Sequence, residues 1–184
     1  MKKQMFISII AGLGLLAPTF AETVSATAEV LFEGSSTLHD FEGTATTQPF
    51  NIELSKDPAT GLQRISATAV VNIGDMDTHN GKRDKNMFKM LDKTHHPLIT
   101  GTLTNAELPL EGTTTATLHL KIRNLEKDVP VSLERLEYAE GLLGFKLAFP
   151  VSLEAFELKA PSVMGVIRVA DNVDVECTML IPVP

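Results

Sequence analysis

The sequence contains no tryptophan, a single tyrosine, Tyr138, and a single cysteine, Cys177. Sugar-binding surfaces rely on exposed aromatic platforms, so this scarcity argues against a carbohydrate-binding module. A lone cysteine cannot form a disulfide within the chain, and packing alone must hold the fold. Basic residues are also short: 16 Lys and Arg stand against 23 Asp and Glu, a net charge of −7. A chain of that sign repels a phosphate backbone, which argues against nucleic acid as a partner. Past Leu16 no apolar run is long enough to cross a bilayer.

The one long apolar run is at the start. Lys2 and Lys3 precede Met5–Leu16, and Pro18-Thr19-Phe20-Ala21 ends the run with small residues. The pattern predicts a Sec-type signal peptide over residues 1–21 and a periplasmic or secreted mature chain. Cleavage is expected after Ala21, with Ala26 as the alternative site. No cysteine follows the run, so a lipoprotein anchor is excluded. Residues 22–184 are then one domain; losing Lys2 and Lys3 leaves 14 basic against 23 acidic residues, a net −9.

Apolar residues in this domain recur mostly at every second position, the period of a strand. Ile65, Ala67, Ala69, Val71 and Ile73 form one row. Leu118, Leu120 and Ile122 form another, and Val129, Val131 and Leu133 a third. Leu143 to Leu153 is the longest row, and Val173, Val175, Cys177, Met179 and Ile181 is the last. Lys56–Gly61, Glu111-Gly112, Asn124–Asp128 and Glu140-Gly141 punctuate them as turns. Closely spaced strands with short turns imply antiparallel hairpins. About eight strands, each with one apolar face, must close into a barrel or stack as a sandwich, and periodicity does not choose between these.

One helix is expected, over Gly81–Lys93, between strands ending at Ile73 and starting at Leu98. Asn80 or Thr78 is its N-cap, and Pro97 prevents its continuation. Met87, Phe88 and Leu91 share a face and would point inward across one open end.

Residues with chemical potential fit bland roles better. Asp75, Asp77, His79 and Gly81 resemble a calcium loop, yet the glycine and glutamate positions hold Asn80 and Asn86. His95 and His96 are adjacent and would face opposite ways on a strand, so they suit a helix end better than a metal site. No Gly-x-Ser-x-Gly elbow accompanies His39 or His119, and His119 lies on a polar strand face. Arg83 and Asp84 suit an anchor on the barrel rim, with Asp84 in the first helical turn. Cys177, in register with Val175 and Met179, should face the interior as a small hydrophobe. No metal or other cofactor is called for.

Three segments together carry a family resemblance. Leu38-His39-Asp40-Phe41-Glu42-Gly43-Thr44 holds an early aromatic-x-Gly pair, and Asp77-Thr78 through Arg83-Asp84 resembles a Thr-x-Asn-x-x-Arg-Asp signature. Val163 to Ile181 resembles a closing hairpin bent at Val169–Val173. In this order along an exported chain they resemble the YceI-like family of lipocalin-like, polyisoprenoid-binding proteins. Glu157 stands where that family often has glycine. The resemblance implies an all-β, antiparallel barrel of about eight strands with a short helix across one end. It implies a non-enzymatic carrier of a long apolar lipid, an isoprenoid or isoprenoid quinone, with a homodimer compatible. The expected lumen residues are Val71, Leu118, Leu120, Leu147, Phe149, Val175, Cys177 and Met179, with Phe88 at one mouth. The alternatives are a filled barrel serving the cell envelope without a ligand, and a hydrolase, which would need convergent polar groups that the apolar rows lack.

Export has a direct test. N-terminal sequencing of the mature protein should begin at Glu22, or at Thr27 for the alternative site; recovery of Met1 would refute the signal peptide.

Overall fold

The structure is a computed structural model that describes residues 22–57, 60–136, 142–160, 162–163 and 167–182. Eleven strands run in chain order as β1 Glu22–Ala26, β2 Ala28–Ser36, β3 Phe41–Thr46, β4 Phe50–Lys56, β5 Gln63–Asn72 and β6 Leu98–Glu107, then β7 Thr113–Ile122, β8 Leu125–Leu136, β9 Leu142–Ser152, β10 Ser162–Val163 and β11 Ile167–Pro182. One α-helix, α1, spans Gly81–Met90. The sheet order is β1-β4-β5-β6-β7-β8-β9-β11-β2-β3, every pairing antiparallel, with β10 beside β11.

The sheet returns on itself. Only Thr27 separates β1 from β2, and β1 pairs with β4 while β2 pairs with β3 and β11. Each of the pairs β1–β2 and β3–β4 is therefore one strand with a corner, and the ring has the expected eight positions. Closure leaves no long edge to aggregate. Thr47 makes the corner: its Oγ1 accepts from the Ala28 N–H at 2.8 Å, and its own N–H donates to the Ala28 carbonyl at 3.0 Å. A buried corner must satisfy these backbone groups internally.

Above the corner the strands diverge. β4 follows β5 from Lys56–Gln63 up to Ile52–Ala67. Beyond it, among the described residues, the Thr47–Val71 bridge and the Gln48 N–H to Val70 carbonyl bond hold β5 to this side. The freed edge of β3 takes a substitute partner, because Thr44 and Asp77 exchange both backbone hydrogen bonds at 2.8 and 2.9 Å. The segment after β5 thus enters the ring where β3 and β5 part.

Two expectations about turns change. The connection predicted at Asn124–Asp128 is a two-residue turn, Arg123-Asn124, since Ile122 already pairs with Leu125. Arg123 takes the left-handed φ of 56° there. The bend predicted at Val169–Val173 is a bulge: β11 continues through it while its register against β2 shifts. Glu140-Gly141 lies outside the described residues. At the glycine-like position of the family, Glu157 has φ 52°, a conformation that costs a residue with a Cβ roughly 1–2 kcal/mol.

The aromatic-x-Gly pair is a packing device. Phe32 lies opposite Gly43, and Phe41 opposite Gly34, on neighbouring strands. Each ring covers the other strand's glycine. A Cβ on Gly43 would collide with Phe32 Cζ and lie 2.9 Å from the Asp77 carbonyl oxygen. Gly43→Ala should therefore destabilise by about 1–3 kcal/mol, as overpacking does. The measure is the urea midpoint, and an unchanged midpoint would show that Phe32 swings away freely.

Candidate functional site

The ring is filled at one end and hollow at the other. Ile52, Ile65, Leu133, Phe145 and Ile181, toward the end where the chain enters and leaves, are at most 1 % exposed. Ala67, Ala69, Val71, Val175 and Cys177, further along the inward rows, are only half-buried. Their remaining surface faces a cavity of about 450 Å³, within the usual range for small-molecule pockets. Small side chains make the space. Ala69 pairs with Gly101 across β5 and β6, and an added Cβ on Gly101 would touch Leu118 at 3.3 Å.

Eight of the nine predicted lumen residues share this wall: Val71, Leu118, Leu120, Leu147, Phe149, Val175, Cys177 and Met179. Phe88 does not. On α1 the cavity is lined by Lys82, Arg83, Asn86, Met87 and Met90, with Leu91 just after it; Arg83, Asn86, Met87, Met90 and Leu91 have the spacing of one helical stripe. Phe88 is rotated off that stripe, and its ring lies under the Lys93 ammonium at 4.4 Å. The correct set was Met87, Met90 and Leu91. Also missed were Val30 and Phe32 of β2 and Ile99 and Leu103 of β6, all on the wall. Their signal was present, as Val30 and Phe32 alternate with Glu29, Leu31 and Glu33, and Ile99 and Leu103 with threonines.

The mouth lies between the β2–β3 hairpin tip, with Ser36, Leu38 and His39, and the first turns of α1. The signature residues build it. Asn80 caps α1, its side chain accepting from the Lys82 and Arg83 N–H groups, and Thr78 is not the cap. Asp84 instead holds Thr78, accepting from its backbone N–H at 3.0 Å and its hydroxyl at 2.6 Å. Arg83 Nη1 donates to the Thr78 carbonyl at 3.2 Å, and the guanidinium lies 5.0 Å from the Phe41 ring centroid. This is the anchor expected of Arg83 and Asp84. The helix stops at Met90, short of Lys93. His95 and His96 follow it in a turn, with His95 Nδ1 2.8 Å from Asp92 and His96 Nε2 3.4 Å from Asn124. They therefore meet side chains rather than capping the helix carbonyls.

Titratable groups mostly lie outside the lumen. His119 is on the outer face, where the hydrogen-bonded Asp128 carboxylate, and then Glu126, raise its pKa above the ordinary histidine value. Cys177 is on the wall, and burial pushes its thiol up to about 12. Among the described residues, no three His, Cys, Asp or Glu side chains converge as metal ligands.

The YceI-like domain model matches residues 21–180. The chain belongs to the YceI-like family. Solved structures share the fold at low identity. Burkholderia cenocepacia BcnA is 18% identical with a TM-score of 0.64, over 83% of this chain and 95% of its own. A polyisoprenoid binding domain from Saccharophagus degradans, implicated in plant cell wall breakdown, is 11% identical with a TM-score of 0.61, over 89% of this chain and 100% of its own. The Campylobacter jejuni YCEI protein is 17% identical with a TM-score of 0.57, over 76% of this chain and 84% of its own. No curated protein matches the sequence.

The raised thiol pKa of Cys177 gives a test of its inward placement. The reactive thiolate is scarce at neutral pH, so a thiol reagent should label the native protein slowly and the urea-unfolded protein fast. Equal rates would place Cys177 on the outer face of β11.

Proposed function

We propose that this YceI-like protein is an exported, non-enzymatic carrier of a long apolar lipid of the isoprenoid type, held in the hollow half of the barrel. The observation that carries this reading is the roughly 450 Å³ cavity with an almost wholly apolar wall, open beside α1. Each methylene moved from water onto such a wall contributes about 0.8 kcal/mol. A long chain therefore binds without any clamp along its length. The Saccharophagus degradans neighbour, a polyisoprenoid binding domain of the same fold, supports this ligand class.

Catalysis is the weaker reading. Apart from Cys177, and from Thr47, which is engaged with Ala28, the polar side chains of the wall belong to the mouth. The hydroxyl–carboxylate pair there, Thr78 with Asp84, is engaged in the anchor: Thr78 is buried, and the same carboxylate oxygen also accepts from the Thr78 N–H. Export to the periplasm or beyond follows from residues 1–21. Cleavage after Ala21 leaves β1 whole, whereas cleavage after Ala26 would remove Glu22–Ala26 and its pairing with β4. The first site is therefore preferred.

Solvent extraction of the mature protein followed by mass spectrometry should release a long-chain lipid. Ala69→Leu, which projects a larger side chain over Gly101, should reduce lipid recovery at least severalfold while leaving the melting temperature of the delipidated protein nearly unchanged. In a filled barrel the same change would overpack, at a cost of about 1–3 kcal/mol. Such a loss, with no lipid from wild type, would favour the ligand-free envelope protein.

A further inference from the structure

The charge on the cavity wall is opposite to that of the chain. The protein is acidic, with 23 Asp and Glu to 16 Lys and Arg. Yet among the described residues no Asp or Glu lines the cavity, and the Lys and Arg side chains that do are Lys82 and Arg83, side by side at the mouth. Asp84, the carboxylate next in sequence, does not line the cavity and is committed to the Thr78 N–H and hydroxyl. Arg83 is half-buried. It is held in place by one bond to a neutral carbonyl and by the Phe41 ring. Among the described residues, no ion pair involves either cation. Of the five N–H groups of a guanidinium, that carbonyl bond engages one. Asn80 and Asn86 share the same rim.

A fixed arginine without a carboxylate, over a mouth that leads to an apolar lumen, has the geometry for an acidic head with a single apolar tail. We propose that the ligand is an anionic amphiphile, with its phosphate or carboxylate head on Arg83 and Lys82 and its chain in the lumen. A neutral lipid would fill the same cavity and leave the two cations unpaired. This inference rests on the lipid-carrier reading and narrows it. Charge-assisted hydrogen bonds to a half-buried arginine are stronger than neutral ones, so the head should improve affinity by about ten- to a hundredfold.

The test compares lipids of equal chain length on the delipidated mature protein. Geranylgeranyl monophosphate is set against geranylgeraniol, and palmitate against hexadecanol, by competition with a fluorescent lipid. At least one acid should bind about tenfold or more tighter than its alcohol, and the pair that shows the gap tells phosphate from carboxylate. The gap should shrink with rising salt, and shrink again in Lys82→Gln, an exposed position whose loss should leave the fold intact. Arg83→Gln should nearly abolish it while geranylgeraniol still binds; if that variant does not fold, the salt series and Lys82→Gln decide. Acids and alcohols binding equally, or a gap that Lys82→Gln and salt both leave unchanged, would overturn the proposal and leave the carrier reading standing. Binding of none of the four would overturn both.

Discussion

A barrel that opens a mouth beside its helix must let two of its strands diverge, and strands that diverge release backbone donors and acceptors. An unpaired buried amide costs about as much as a lost hydrogen bond, so the opening is feasible only where other groups take over. Here the substitutes are specific. Thr47 serves the Ala28 amide at the corner, and Asp77 serves both backbone groups of Thr44 beyond it. The helix side of the mouth follows from the second pairing, because it fixes the chain just before α1. Asn80 can then cap the helix, and Asp84 can reach back to Thr78.

The hollow itself is a matter of side-chain size on rows that are otherwise continuous. On β5 the inward row begins with Ile65, which is packed, and continues through Ala67 and Ala69 to Val71 on the wall. Opposite Ala69 stands Gly101. Interiors are normally packed to crystal-like density, and wall atoms without neighbours forgo dispersion contacts. A tail in the lumen restores those contacts and binds only the folded chain. It would therefore add to stability by mass action, about 2.7 kcal/mol at a hundred times its dissociation constant.

Much of this was legible in the sequence, and the failures have physical causes. Strand rows were readable because the side-chain period is two, and that alternation placed Val175, Cys177 and Met179 on the wall. Barrel and sandwich were not separable by period, because both bury one face of each strand. Closure depends on Thr47, an ordinary threonine whose role exists only once β1–β2 and β3–β4 lie together. The helix face was misjudged by one residue. Met87, Phe88 and Leu91 form an apolar cluster, but Met90 completes the stripe, and Phe88 gains its cover from Lys93. The bulge in β11 looked like a turn, since Ala170-Asp171-Asn172 has turn composition. Its conformation is set by pairing with β2 on one side and β9 on the other.

The motif that identifies the family and the surface that would choose a ligand are largely different sets of residues. Asp77, Asn80 and Asp84 act on backbone groups and one hydroxyl, so their chemistry is consumed in holding the mouth open. The length and bulk of a bound chain would be set elsewhere, by the small and large side chains along β5, β6, β9 and β11. Arg83 belongs to both sets. It bonds the Thr78 carbonyl as part of the anchor, and it also lines the cavity. Replacing it therefore disturbs the shape of the mouth together with its charge. Lys82 carries a neighbouring charge on an exposed position that no anchor uses. The difference between these adjacent cations is what allows recognition of a head group to be separated experimentally from construction of the site.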